Sequence, residues 1–436
     1  MKPASELFVL PVQNHDAILY APLLRKMARV NESAVDLVYR YLEGEPISAE
    51  EEPVIKVLSG YGFFQETLPL PEDHDFAPVQ VTLFPSDGCN LRCRYCYAAA
   101  AGIKHIMNPA VARAAIDFIA ENAQKKQNKD FVVGFHGNGE PFTAFPLIRE
   151  ICAYALKKSE EINIKLNLST ATNGVLTEEQ QDFLLAWFSG VNVSFDGLPD
   201  LQDRQRPKAD GSGSFTEVDA TLKRLDAMDK NYGIRATLTT ESVERLEEIV
   251  DFVQSHYVNC KHLHIEPAWE CGRCLTTGEQ SPNADLFIKK YLNAVQNMKN
   301  NRMRLVFSGE RHNIVTNSFC AVSKGGFTVT TDGYATACFE VCRHDDPRSG
   351  KYFFGSYRPE DGLFEFDEQK LMALREMKVE NMPYCRDCFC KWHCAGDCAA
   401  KILGAMTPDQ HSGSERCRIT RALTLDQIQR ELNSGM

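Results

Sequence analysis

Three cysteines, Cys89, Cys93 and Cys96, are spaced Cys-x3-Cys-x2-Cys, with Tyr95 just before the last. Thiolates are soft ligands that suit zinc and iron–sulfur centres. A closed zinc site takes four protein ligands, and a [4Fe–4S] cluster normally takes four thiolates. Three thiolates on one short loop therefore leave one iron open to a ligand that is not protein. The chain has 16 cysteines in 436 residues, and nine of them crowd between Cys320 and Cys417. The N-terminal stretch has no secretory apolar segment, and no run approaches the roughly 20 apolar residues that span a bilayer. The expectation is a cytoplasmic chain without a membrane partner, whose thiols stay reduced and bind metal instead of pairing as disulfides. The net charge of −11 disfavours a nucleic-acid footprint.

The elements that must position these thiols alternate regularly. Strands are expected at 79–84, 131–135, 162–168, 191–195, 234–239 and 262–266. Helices are expected at 109–124, 147–159, 177–189, 215–229 and 243–256. Asn108 is placed to cap the first helix, with Pro109 at its first position. Thr177 caps the third, with Gln180 at the capping-box position. Such alternation argues for parallel strands with right-handed crossovers. The predicted class is α/β, a partial (β/α)6 barrel over 78–268, flanked by a small N-terminal α+β domain over 1–77. A bridging segment over 269–310 leads to a cysteine-rich module over 311–436. In barrels of this kind the chemistry sits on the loops after the strands. The polar, Gly-rich stretches fall there: His136-Gly-Asn-Gly-Glu-Pro141, Thr172-Asn-Gly174 and Ser194-Phe-Asp-Gly197. Cys152 and Cys260 read as buried structural thiols.

The three-cysteine loop after a first strand resembles the radical SAM superfamily, in which the open iron chelates the amino and carboxylate groups of S-adenosylmethionine. Asn138-Gly-Glu-Pro141 resembles that family's Gly-Gly-Glu-Pro motif, with Asn138 in place of the first glycine. The resemblance implies that Gly139, Glu140 and Pro141 meet the methionine ammonium, and that Asn173 and Ser194 meet ribose or substrate. It also implies that Tyr95 and Arg206 border the cofactor, with Arg206 reaching its carboxylate.

The C-terminal cysteines resemble the SPASM pattern: Cys320-x12-Gly333-x4-Cys338, then Cys385-x2-Cys388-x5-Cys394-x3-Cys398, then Cys417. The resemblance implies two auxiliary [4Fe–4S] clusters, so three in all with the first loop. Cys385, Cys388, Cys394 and Cys417 would hold the outer one; Cys320, Cys338 and Cys398 would give three ligands to the inner one. Cys342 is the favoured fourth ligand, with an open iron or one of Cys271 and Cys274 as alternatives; Cys390 has no assigned role. Sulfatase maturases place an Asp directly after the second SPASM cysteine as a base. Here Phe339 follows Cys338 and Glu340 comes next, which makes Glu340 the candidate catalytic residue.

Strands at 18–21 and 26–30 and helices at 33–42 and 50–60 give the N-terminal arm a resemblance to the winged-helix-like modules that grip leader peptides. The functional expectation is reductive cleavage of S-adenosylmethionine and hydrogen abstraction from a ribosomally made precursor peptide, forming an intrapeptide cross-link. An external one-electron donor such as flavodoxin or ferredoxin is implied. The alternative is a sulfatase maturase oxidising Cys or Ser of a protein substrate to formylglycine.

Overall fold

The computed structural model describes residues 6–12, 16–67, 69–70, 75–299 and 302–434. An antiparallel sheet opens the chain, formed by β1 (Phe8–Pro11), β2 (Asp16–Ala21) and β3 (Lys26–Asn31), and helices α1 (Glu32–Glu43) and α2 (Glu52–Gly60) follow it. The Asn31 side chain accepts from the Ala34 N–H at 3.0 Å to start α1, and Gly44 at φ +80° ends it. Only β1 escapes the sequence pattern: it is four residues long and ends in proline. One face of this sheet packs Leu19 and Ala21 against Val38, Leu58 and Phe63. The other packs Leu10, Ile18 and Tyr20 against Ile428 in the C-terminal helix Glu415–Ser434. Glu6 pairs with Lys391 and accepts from Trp392, and the Tyr20 hydroxyl meets His393. The arm is thus docked on the cysteine-rich module.

Strands β4 (Gln80–Leu83), β5 (Asp130–Phe135), β6 (Lys165–Thr172), β7 (Gly190–Ser194), β8 (Tyr232–Leu238) and β9 (Cys260–Pro267) pair in chain order, each parallel to the next. The connecting helices are α3 (Pro109–Lys125), α4 (Phe145–Ile162), α5 (Glu178–Trp187), α6 (Pro199–Gln205), α7 (Phe215–Ala227) and α8 (Leu246–His256). Helix α3 starts as the sequence predicts, with Asn108 accepting from the Ala110 N–H at 2.9 Å. It buries Val111, Ala115, Ile119 and Ala123, a stripe at helical spacing that turns toward the sheet. The Thr177–Gln180 capping box is present. The third strand is later than predicted: Ile162 ends α4, Asn163 caps it at φ +53°, and β6 begins at Lys165. Asparagine tolerates that left-handed conformation, which lets the helix run on before the strand starts.

The sheet does not stop where the barrel was expected to end. Strand β10 (Arg304–Val306), from the bridging segment, pairs parallel to β9. On the opposite side β11 (Thr328–Val329) pairs parallel to β4, and β12 (Tyr334–Thr336), β13 (Phe353–Arg358) and β14 (Leu363–Phe366) continue antiparallel. The result is one eleven-stranded sheet with β10 and β14 at its two ends, an open partial barrel. Among the described residues no helix is long and apolar enough to cross a membrane. All 16 cysteines are free thiols, and Cys152 and Cys260 are buried in the core as expected.

Candidate active site

Because β4 to β9 run parallel, their C-terminal ends share one rim, and the loops there enclose a cavity of about 280 Å³. Cys89, Cys93 and Cys96 line it from the loop after β4; Asn138, Gly139 and Glu140 from the loop after β5; Asn173 and Ser194 from the ends of β6 and β7; Arg206 from the end of α6. Phe339, Glu340 and Lys401 of the cysteine-rich module close the opposite wall. Of the residues predicted to meet a cofactor, only Pro141 is absent from this lining: it turns into the core at the start of the 3-10 turn Pro141–Ala144.

The cysteine loop is held on both sides. Cys89 N–H donates to the Ala101 carbonyl at 2.8 Å, and Arg92 and Arg94 N–H donate to the carbonyls of Pro207 and Gln205 at 2.7 and 2.9 Å. Gly139 approaches this loop so closely that a Cβ there would lie 2.1 Å from the Gly88 carbonyl oxygen. Only glycine fits at this contact, which the Glu140 N–H secures by donating to the same oxygen at 2.8 Å. Asn138, by contrast, is not in the left-handed region, so the departure from glycine there strains nothing.

Glu140 is buried and its carboxylate accepts from Thr172 Oγ1 at 2.8 Å, from Asn173 N–H at 2.7 Å and from Phe142 N–H at 3.2 Å. Burial raises its pKa from 4.5 to about 7. Asp196, quoted in the Ser194-x-Asp-Gly motif but given no role by it, is a hub. It accepts from the Tyr95 hydroxyl, from Gln205 Nε2 at 2.7 Å and from Thr237 N–H at 3.1 Å, and pairs with Arg206 Nε at 3.1 Å. The Arg206 guanidinium lies 5.2 Å from the centre of the Tyr95 ring. Tyr95 and Arg206 are therefore oriented as a unit beside Cys93.

The bridging segment, which carries the alternative ligands Cys271 and Cys274, braces the first cysteine loop. Arg273 N–H donates to the Cys96 carbonyl at 2.9 Å, and its guanidinium donates to the carbonyls of Cys93 at 2.8 Å and of Ala100. Gly272, at φ +55°, sits where a Cβ would lie 2.4 Å from the Cys96 carbonyl oxygen. Cys274 is buried against Tyr95 and Cys93, whereas Cys271 lines the cavity.

Two further cavity groups are given no role by the sequence motifs. His136 stacks on Phe339 with ring centres 4.9 Å apart, and its buried Nδ1 has no hydrogen-bond partner. Burial lowers its pKa to about 4, so the ring is neutral near pH 7. Arg235 enters from β8. On the opposite wall Glu340 pairs through Oε1 with Lys401 at 3.4 Å, while its buried Oε2 has no hydrogen-bond partner.

The residues fit the groups the sequence suggests. Burial pushes the Cys89 thiol up to about 11 and the Cys93 thiol to about 12. Such thiols ionise when a metal binds them. Among the described residues no three acidic, histidine or cysteine side chains converge on a point that could hold a single ion. Cys385, Cys388, Cys394 and Cys417 line one small cavity with Cys390 and Arg421. Cys390 and Arg421 hold the Cys388 thiol below its ordinary pKa through hydrogen bonding and charge. Burial first, and then the neighbouring Cys398 and Glu340, raise the Cys338 thiol well above its ordinary range. Burial pushes the thiol of Cys342, the favoured fourth ligand, up to about 12. Cys271 shares the lining of the active cavity with Glu340 and Lys401.

Residues 83–253 match the Radical SAM superfamily. Among curated proteins, the chain is 25% identical over 170 residues to the cysteine-type anaerobic sulfatase-maturating enzyme of Clostridium novyi, covering 38% of this chain and 45% of that one. It is 20% identical over 278 residues to the sporulation killing factor maturation protein SkfB of Bacillus subtilis, covering 60% of each. The chain spans about half the length of the first curated relatives it matches. Among solved structures, anSMEcpe with bound AdoMet superposes with a TM-score of 0.62 at 17% identity, covering 81% of this chain and 98% of that one. SuiB of Streptococcus suis bound to S-adenosylmethionine gives 0.55 at 15% identity, covering 94% and 98%. At such identities the likeness is one of fold.

Proposed function

We propose that this chain is a radical SAM/SPASM enzyme that cleaves S-adenosylmethionine reductively and takes a hydrogen atom from a peptide, forming an intrapeptide cross-link. The observation that carries this reading is the convergence in one cavity of Cys89, Cys93 and Cys96, of Glu140, and of Phe339 and Glu340 from the auxiliary module. When bound, a [4Fe–4S] cluster and S-adenosylmethionine supply the electron and the hydrogen-abstracting radical. The protein's own part is positioning. Glu140 presents a buried carboxylate to an ammonium, the Asp196 hub fixes Tyr95 and Arg206, and the enclosed rim keeps water from the reacting centre. Abstraction of one hydrogen atom followed by bond closure leaves one electron and one proton to remove. Cys320, Cys338 and Cys398 would hold an inner auxiliary cluster and Cys385, Cys388, Cys394 and Cys417 an outer one, and these groups would supply an acceptor for that electron. The proton goes to Glu340 Oε2, the oxygen without a partner. An external one-electron carrier would supply the electron to a cluster held by Cys89, Cys93 and Cys96.

A peptide substrate accords with two solved structures of this fold, whose descriptions name SuiB bound to precursor peptide SuiA and anSMEcpe bound to a peptide. The sulfatase-maturase reading keeps one specific support: a carboxylate, Glu340, borders the cavity although it is displaced one residue from the position those enzymes use. Incubating the reconstituted enzyme with the product of the neighbouring open reading frame, either a short peptide or a sulfatase, separates the two. A product lighter by a pair of hydrogens, linked within the chain, supports cross-linking. Conversion of Cys or Ser to formylglycine in a sulfatase-derived peptide supports the alternative. Glu340→Gln should leave S-adenosylmethionine cleavage intact and slow product formation by about 10²–10⁴-fold, as for loss of a general base.

A further inference from the structure

Arg416, one residue before Cys417, is buried, and every polar arm of its guanidinium is used. Nη1 donates to Glu266 Oε2 at 2.9 Å, Nε to Asp397 Oδ2 at 2.8 Å, and Nη2 to Asp397 Oδ1 at 3.1 Å and to Ser308 Oγ at 2.8 Å. Its partners sit at telling places. Glu266, next to last in β9, lines the active cavity and accepts on its other oxygen from Ser308 N–H at 3.0 Å and His264 Nε2 at 2.8 Å. Asp397 lies between Cys394 and Cys398, in the left-handed region at φ +60°, and its Oδ1 accepts the Cys398 N–H at 2.7 Å. The side chains of Arg416, Glu266 and Asp397 are 4%, 4% and 0% exposed.

A buried ion network of this kind is costly to desolvate and is weak support for stability on its own. What it does supply is fixed geometry and a field that salt does not screen. Here one cation and two anions tie the floor of the cavity to the backbone that carries Cys394, Cys398 and Cys417. We propose that Arg416 is a positioning residue for the auxiliary clusters: it locks the ligand-bearing segments of both to the cavity through Glu266, and its charge holds their reduction potentials up. This inference rests on the reading that those cysteines carry iron–sulfur clusters.

The test uses full-length chain with Cys89, Cys93 and Cys96 all replaced by Ala, so that any iron bound after anaerobic reconstitution is auxiliary. If this parent binds no iron, the cluster reading fails, and the inference with it. If it binds iron, Arg416→Met should bind at most half as much, or hold clusters whose midpoints in a redox titration followed by electron paramagnetic resonance are lower than the parent's. Arg416→Lys, which keeps the charge, should restore a midpoint close to the parent's. Glu266→Gln removes a negative charge while leaving the Arg416–Asp397 pair in place, and should move the midpoint up. Parent-like iron and midpoint in Arg416→Met would overturn the proposal. Should Arg416→Met not fold, an unchanged or lowered midpoint in Glu266→Gln overturns it instead.

Discussion

The Glu140 carboxylate accepts the Asn173 N–H at 2.7 Å, joining the loop after β5 to the end of β6 across the floor of the cavity. The same carboxyl is raised by burial from 4.5 to about 7, against the pull of its donors. The native chain thus binds more protons than the unfolded chain between those two values. This carboxyl's contribution to stability is fully present below pH 4.5 and is lost as pH rises through about 7. Glu140→Gln cannot titrate. The stability of the parent relative to that variant should therefore fall by on the order of a few kcal/mol between about pH 5 and about pH 8. Urea unfolding at the two pH values measures it, and a difference that does not change with pH contradicts the assignment.

Arg273 braces the first cysteine loop from a segment well over a hundred residues away in the chain. Its guanidinium donates to the Cys93 and Ala100 carbonyls. Hydrogen bonds to a charged group are worth about 1.5–3 kcal/mol each, so Arg273→Met should loosen the loop appreciably. The expected result is preferential loss of iron from the Cys89, Cys93 and Cys96 site, read as a drop in the S-adenosylmethionine-perturbed paramagnetic signal. The auxiliary signals should persist. Parallel loss of all signals would point to general unfolding instead.

The N-terminal arm is a candidate leader-binding domain, but it also covers the cysteine-rich module. Ile18 packs on Ile428, and Tyr20 reaches His393. Ile18→Ala should cost about 2–5 kcal/mol, the usual range for a buried aliphatic truncation. Deleting residues 1–77 would strip this contact and lower thermal stability as well as peptide affinity. Substitutions on the far side, at the exposed Val57 and Tyr61 of α2 and its cap, separate the two roles. They should weaken binding of the full-length peptide while leaving the melting temperature unchanged. Unaltered affinity in those variants would leave the arm with its covering role alone.

The cysteine spacings and the strand-end motifs were legible because they are local: a loop of eight residues carries its own signature. The parallel barrel was legible because strand and helix periodicities alternate. What escaped depends on partners far away in the chain. Asp196 becomes a hub only when Tyr95, 101 residues earlier, folds over it. Arg416 finds Glu266 at a separation of 150 residues. Strands β10, β11 and β12 have two or three residues each. They are too short to show a period and are defined by the edges they pair with. The start of β6 was misplaced because Ile162 continues both the helical and the strand pattern, and only the left-handed turn at Asn163 decides between them.

The central claim is that the Cys89, Cys93 and Cys96 loop carries a cluster that cleaves S-adenosylmethionine. The direct measurement is 5′-deoxyadenosine formed by anaerobically reconstituted, reduced protein, with iron counted on the same sample. The account predicts about twelve irons per chain, at four per cluster, and deoxyadenosine that disappears, together with about four of those irons, when the three cysteines are replaced by Ala. Zinc in place of iron, or deoxyadenosine formation that survives the triple replacement, would contradict it.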